Sequence, residues 1–228
     1  MHPSALQNCQ LFFDHYHSGF SPDAQVMEIG SQDVNGSLRP IFSPTFSYTG
    51  VDFVAAKGVD VVLDDPYQLP FADASMDVIV SSSCFEHSEM FWLVFLEVMR
   101  VLKPHGLFYL NVPSNGAFHQ YPVDCWRFYP DSGKALVTWA KRNGIPAALL
   151  ESYVSEQGTG QWNDFVAVFL KDEAHVTRYP SRITQHVETY RNAYRFESNE
   201  IQKLAVLPED MRKLVLIHKV IAGKVALK

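Results

Sequence analysis

Three cysteines in 228 residues, Cys9, Cys84 and Cys125, are too few and too scattered for a disulfide framework or a structural zinc site. A reducing compartment suits such a chain. No apolar run is long enough to span a bilayer, and the start, MHPSALQNCQLFF, lacks the basic residues and long apolar core of a secretory leader. The expectation is a cytoplasmic protein with no stable membrane insertion. Positive charge is not in surplus either. The formal net charge of -6 argues against a broad nucleic-acid-binding surface. Internal repeats and low-complexity segments are also missing. Closely spaced glycines are absent where they would be most telling: after the apolar run ending in Glu28-Ile29-Gly30, the stretch SQDVNGS has Gln32 and Val34 in place of further glycines.

What the chain does have is an alternation of short apolar runs with helical patterns, the signature of an α/β sheet covered on both faces. Seven strands are predicted, near AQVMEIG, FSYTGVD, VDVVL, MDVIVSS, GLFYLNVP, AALLESYVS and DFVAVFLK. Their richness in valine and isoleucine fits strands buried on both faces. EMFWLVFLEVMRVL has the spacing of a crossover helix, stopped by Lys103-Pro104 and Gly106. SGKALVTWAKRNG reads as a second helix, closed by Gly144. From about Tyr179 the pattern is helical and charged, with no further strand. LPEDMRKLVLIHKVIAGK opens on a proline and two acids and ends in lysines, which suits the helix dipole. The expected organisation is therefore a Rossmann-like, seven-stranded, mostly parallel α/β domain over residues 1–178 and a helical appendage over 179–228. That appendage suits packing or homo-oligomerisation through its helices, or an interfacial position as a basic amphipathic helix.

Chemistry is expected at the carboxyl ends of the strands. A strand that ends at a glycine turn and opens a helix leaves backbone N–H groups free to hold a nucleotide or an amino-acid carboxylate. Gly30 permits close approach of a ligand, and Asp33, Asn35 and Gly36 are residues that tolerate positive φ. About 20 residues on, YTGVDF ends in Asp52, where a carboxylate can accept both hydroxyls of a ribose or cap the next helical turn. LDDPYQLPF then places Asp64, Asp65 and Pro66 beside the same edge, as partners for an adenine amino group or as solvated loop residues.

In this order the elements resemble the class I S-adenosylmethionine-dependent methyltransferases. The matching residues are Glu28 and Gly30, Asp52, Asp65 before LPF, MDVIVSSSCFEH, and RVLKPHGLFYLNVP, and the resemblance spans roughly Gln25 to Lys171. EIGSQDVNGS and YPVDCWRFYPD are similar to stretches in bacterial members often found with glycan-modifying enzymes. The resemblance implies S-adenosyl-L-methionine as cofactor. It sets Gly30 and Ser31 against the methionine part, Asp52 on the ribose, Phe53 on the adenine ring, Asp65 on the adenine amino group and Ser82 near the cofactor's amino group. Gln32 and Asn35 complete the loop. His105 departs from the family, standing where glycine usually follows LKP. A nicotinamide-dependent oxidoreductase fits less well, because a pyrophosphate needs the closely spaced glycines that are missing here.

Acceptor-side residues should follow the fourth and fifth strands. SNGAFHQYPVDCWRFYP crowds His119, Tyr121, Asp124, Trp126, Arg127 and Tyr129 into one proline-punctuated loop, a mixture able to form an aromatic wall with directed polar groups. His119 is the leading candidate base, or else a surface histidine. Asp124 and Arg127 either serve the substrate and its catalysis or pair with each other. His87 either lines the site or caps the next helix. Glu86-His87 alone lacks the spacing and partners of a zinc site, so no metal is expected. These readings converge on methyl transfer to a small molecule or a sugar hydroxyl. The rival is a non-catalytic methyltransferase-like module that uses its tail for assembly.

Overall fold

The computed structural model describes residues 2–156, 162–206 and 209–226. Chain order runs α1 (Pro3–Tyr16), β1 (Gln25–Ile29), β2 (Ser47–Asp52), β3 (Val61–Val62), β4 (Met76–Ser82), α2 (Phe91–Val101) and β5 (Leu102–Pro113). It continues with α3 (Ser132–Arg142), β6 (Ala148–Ser155), β7 (Asp164–Leu170), β8 (Tyr190–Arg195), β9 (Ser198–Gln202) and α4 (Glu209–Ile221). One sheet takes the order β3-β2-β1-β4-β5-β7-β6-β8-β9. The first five strands in that order pair in parallel, and β7 enters antiparallel between β5 and β6.

All seven predicted strands form, and every residue of β4, β6 and β7 is buried, as runs of valine, leucine and phenylalanine require when both faces are covered. On one face α2 inserts Val94, Phe95, Val98 and Met99 over Ile79, Phe108 and Phe169. On the other, α1 lays Cys9, Phe12 and Tyr16 over Val26, Val80 and Tyr109. Helix α1 is not among the helices that the apolar pattern predicts, because its buried stripe includes the polar Asn8. Asn8 satisfies its amide by donating to Asn111 Oδ1 at 2.9 Å on β5.

Two expectations are corrected here. The sheet has nine strands, because residues after Tyr179 return to it: β8 pairs antiparallel with β6, and β9 with β8. The pattern YRNAYR hides a strand, since only Tyr190, Asn192 and Ala193 are buried and the outer residues are charged or half-covered. In the tail, α4 forms, but Leu207 and Pro208 lie outside the described residues, as does the predicted proline start of that helix. Secondly, no α-helix follows β1. Gly36, Pro40 and Pro44 interrupt residues 31–46, which hold only a short 3₁₀ turn at Arg39–Ile41.

A buried carboxylate binds the returning segment to the sheet. Glu151 on β6 is fully buried and accepts from Tyr16 Oη at 2.7 Å, Ile183 N at 2.6 Å, Thr184 N at 3.0 Å and Thr184 Oγ1 at 2.8 Å. It thereby joins α1, the central sheet and the approach to β8. Glu151→Ala strands those donors together, so urea unfolding should show a loss of about 3 kcal/mol or more. A change below about 1 kcal/mol would mean that the network carries little stability.

Candidate active site

Parallel strands leave a crevice at their carboxyl ends where the strand order reverses, here between β1 and β4. The loop after β1 crosses this crevice and has almost no internal freedom. Gly30 N and Ser31 N donate to Val51 O, Gln32 N to Asp52 Oδ2 at 3.3 Å, and Asp33 N to Lys57 O at 2.8 Å. The expected row of free N–H groups at a helix start is therefore absent, since no helix begins there. Positive φ falls on Gly30 (79°) and Gly36 (128°), with neither Asp33 nor Asn35 supplying it.

Glycines from β2 and the turn after it take over the role of the missing loop glycines. A Cβ on Gly50 would sit 2.3 Å from Gly58 O and 2.7 Å from Ser31 Oγ, and one on Gly58 would sit 2.6 Å from Ser31 O. Backbone packs on backbone, so the loop lies flat across β2. On its other side a Cβ on Gly30 would meet Cys84 Sγ at 2.7 Å. The Ser31 side chain consequently turns toward Gly50 and Gly58, and its backbone alone stays with the crevice edge.

Asp52 ends β2 with its carboxylate at the rim, where Oδ1 accepts from Phe53 N at 2.7 Å while Phe53 itself is about half exposed. An anchored acceptor beside an uncovered aromatic face suits a ribose and an adenine ring. Asp65 is exposed, with Oδ1 accepting from Tyr67 N at 2.8 Å. Asp64 and Asp65 line a hollow of about 480 Å³ with Gln68, Glu97 and Arg100 at the sheet edge, and Pro66 is exposed beside it. Ser82 is buried, accepting from Asn111 Nδ2 at 3.3 Å. The next residue, Ser83, is the exposed one, at φ 52°. Asn35 is exposed on the loop. Glu28 is buried on β1. It accepts from Tyr48 Oη at 2.7 Å, and burial pushes its carboxyl up to about 7.

The loop between β5 and α3 supplies the opposite wall. Tyr121 Oη donates to Gln32 Oε1 at 3.1 Å, which joins the two loops directly. Asp124 and Arg127 do pair, at 2.6 and 2.8 Å, and the Arg127 fork holds the Asp124 carboxyl down to about 2. Asp124 also accepts from His119 N at 2.7 Å and lies 3.4 Å from His119 Nδ1. The His119 ring packs edge-on against His87 (centroids 4.9 Å) and Trp162 (4.9 Å). His87 does not cap a helix; its Nδ1 bonds Val123 O at 2.5 Å. Trp126 donates Nε1 to Ser88 O and stacks edge-on against Phe91 and Trp92, whereas Tyr129 is exposed. Sequence reasoning missed Trp162, which comes from β7's approach and has no motif to announce it. It also undervalued Glu86, which is fully buried with its carboxyl pushed up to about 8 by burial.

Comparison with known proteins bears on the fold that carries this crevice. Residues 41–110 match the methyltransferase-domain family. A methyltransferase of Mycobacterium avium is 29% identical over 58% of this chain and 49% of its own length. A phthiotriol/phenolphthiotriol dimycocerosates methyltransferase of Mycobacterium tuberculosis is 34% identical over 44% of this chain and 42% of its own. This chain thus matches about half the length of such relatives. Among solved structures, the 1,6-didemethyltoxoflavin-N1-methyltransferase of Burkholderia thailandensis, holding S-adenosylhomocysteine, superposes with TM-score 0.57 at 14% identity. That match covers 75% of this chain and 79% of that one. Residues 41–110 thus carry a methyltransferase-domain match, and the fold is that of the class I S-adenosylmethionine-dependent methyltransferase family. S-adenosylmethionine is the cofactor of that family, and the Asp52–Phe53 rim fits it, because it has no pyrophosphate for the occupied N–H groups of the loop to cradle.

Two measurements test this construction. Gly58 has φ 90° with Ser31 O in its way, whereas Gly144 has φ 79° with nothing within 4 Å. Alanine at either position incurs strain of about 1 kcal/mol or more, but Gly58→Ala adds a backbone clash and should cost the larger loss in urea unfolding. Equal losses would remove the close approach from the account. For Glu28, the carboxyl binds its proton more tightly folded than unfolded, so stability falls as pH rises from about 4.5 to about 7. Glu28→Gln should flatten that fall by about 2 kcal/mol between pH 5 and pH 7.5. An unchanged slope would place the Glu28 proton elsewhere.

Proposed function

We propose that this protein transfers a methyl group from S-adenosylmethionine to a small-molecule acceptor or a sugar hydroxyl. The observation that carries the reading is the Tyr121–Gln32 hydrogen bond. It ties the loop bearing His119 to the loop bordering Asp52, so cofactor rim and acceptor wall share one crevice. In this reading Asp52 accepts from the ribose hydroxyls, Phe53 covers the adenine, and Asp65 takes the adenine amino group. When bound, S-adenosylmethionine supplies an electrophilic methyl on a sulfonium centre. The chain's own contribution is placement, exclusion of water and proton removal. His119, oriented through Nδ1 by Asp124, offers Nε2 to the acceptor hydroxyl and takes its proton. Arg127 fixes Asp124 rather than meeting substrate.

The exposed Phe118, Tyr121 and Tyr129 make the acceptor wall aromatic. Flat aromatic faces accept the C–H face of a sugar, which supports a glycan or other small-molecule acceptor over a macromolecular one. The Mycobacterium tuberculosis relative is named for phthiotriol and phenolphthiotriol dimycocerosates as acceptors, a narrower class that the same wall admits. No described helix is long and apolar enough to cross a membrane, which supports a cytoplasmic setting. Leu214, Leu216 and Ile217, exposed on α4, support homo-oligomer formation through that helix.

Calorimetry with S-adenosylmethionine and S-adenosylhomocysteine tests the proposal without knowledge of the acceptor. Both should bind, and Asp52→Ala should weaken binding by about 1–3 kcal/mol through loss of charge-assisted hydrogen bonds. A folded protein that binds neither at millimolar concentration would favour the non-catalytic module instead.

A further inference from the structure

We infer that Glu86, His87 and His119 form a binding site for a divalent transition-metal ion. A carboxylate oxygen of Glu86 and one ring nitrogen from each histidine lie within 4.8 Å of one another. Two imidazoles and one carboxylate from three separate residues suit zinc, cobalt or manganese, and leave coordination positions open for a further ligand.

The surroundings of each residue favour this use. Glu86 Oε2 is buried and has no hydrogen-bond partner among the described residues, although Glu86 is only 1% exposed. An unpaired carboxylate oxygen out of reach of water is costly, and a cation removes the cost. The backbone at this position is fixed, with the Glu86 carbonyl accepting from Cys125 N at 2.8 Å and Trp126 N at 3.2 Å. Each histidine is held through Nδ1: His87 by Val123 O, and His119 by Asp124 and Ala117 O. An Nδ1–H directed at a carbonyl or carboxylate leaves Nε2 as the lone pair, the usual outer-shell arrangement around a metal-bound histidine. Arg127 is the nearby positive group, with Nη2 3.5 Å from His119 Nδ1, and its charge is matched by the two-point pairing with Asp124.

The site stands at the acceptor end of the crevice. On the proposed function, an ion there would hold and polarise the acceptor oxygen as a Lewis acid, and His119 would be a ligand instead of the base. That role rests on the methyl-transfer reading; the site itself does not.

Cobalt(II) is the probe, added to full-length protein stripped of metals with a chelator and free of S-adenosylmethionine. Visible d–d absorption should appear and saturate at one ion per chain, and zinc should displace it. Magnesium, which prefers oxygen ligands, should leave it unchanged. His119→Ala and Glu86→Gln should each weaken cobalt binding by about 100-fold or more, with circular dichroism confirming the fold. His15 and His186 stack at 4.5 Å elsewhere on the surface, so His15→Ala should leave affinity unchanged. No absorption at millimolar cobalt, or binding lost with His15 but kept in His119→Ala and Glu86→Gln, overturns the assignment. Because cofactor is absent throughout, calorimetry with S-adenosylmethionine reports on the methyl-transfer reading separately.

Discussion

Backbone meets backbone where the loop after β1 crosses Gly50 and Gly58, and the whole cofactor edge depends on that approach. With no side chain in between, Ser31–Asp33 lies flat on β2 and its N–H groups close on Val51, Asp52 and Lys57. Asp52 is part of the same closure, accepting from Gln32 and Phe53, so its position at the rim is fixed by the loop it helps to hold. Where the loop carries Gln32 and Val34, close approach is provided instead by glycines on the surface beneath it. A helix start and its dipole are absent after β1, and the edge presents a single carboxylate and an exposed ring instead.

The rest of the sheet protects this arrangement from a distance. Helix α1 covers the face over β1, β4 and β5, and Glu151 connects α1 to β6 and to the segment entering β8. The two C-terminal strands extend the sheet past β6, at the end opposite β3. Their contribution to the crevice is rigidity: β6 and β7 position Trp162 against His119 only if β6 is itself held on its outer side. Burial of a carboxylate at Glu151 is tolerated because α1 and the Ile183–Thr184 segment together supply four donors to it, so the charge is shared between parts that must stay together.

Strands β1 to β7 were legible because each is a short apolar run bounded by turn residues, and burial on both faces leaves no ambiguity of period. The position of Asp52 at the end of β2 was legible for a related reason, since the distance from glycine turn to acid is set by one strand–turn–strand unit. Strands β8 and β9 were not, because edge strands carry polar residues on their open side and YRNAYR shows no clean alternation. The loop's support was hidden as well: Gly50 and Gly58 read as ordinary turn or strand glycines until β2 is laid beside β1. Sequence spacing gave Glu86-His87 no third partner, for His119 is 32 positions further on and reaches it only because β4 and β5 are neighbours.

That last contact bears on how the crevice divides its work. A histidine oriented by a carboxylate through Nδ1 presents one free lone pair, and a lone pair accepts either a proton or a metal ion. Near solvent alone, His119 would be a plain base. Its neighbour changes the balance: His87 presents the same atom by the same device, and Glu86 adds an unpaired oxygen that its backbone bonds hold in place. The three groups converge on one point, each with an atom within 4.8 Å of the others. They make a reasonable cage for a cation. The aromatic ring of Trp162 and the Asp124–Arg127 pair then act as the outer wall of that cage, fixing the ring plane of His119 while keeping their own charges balanced.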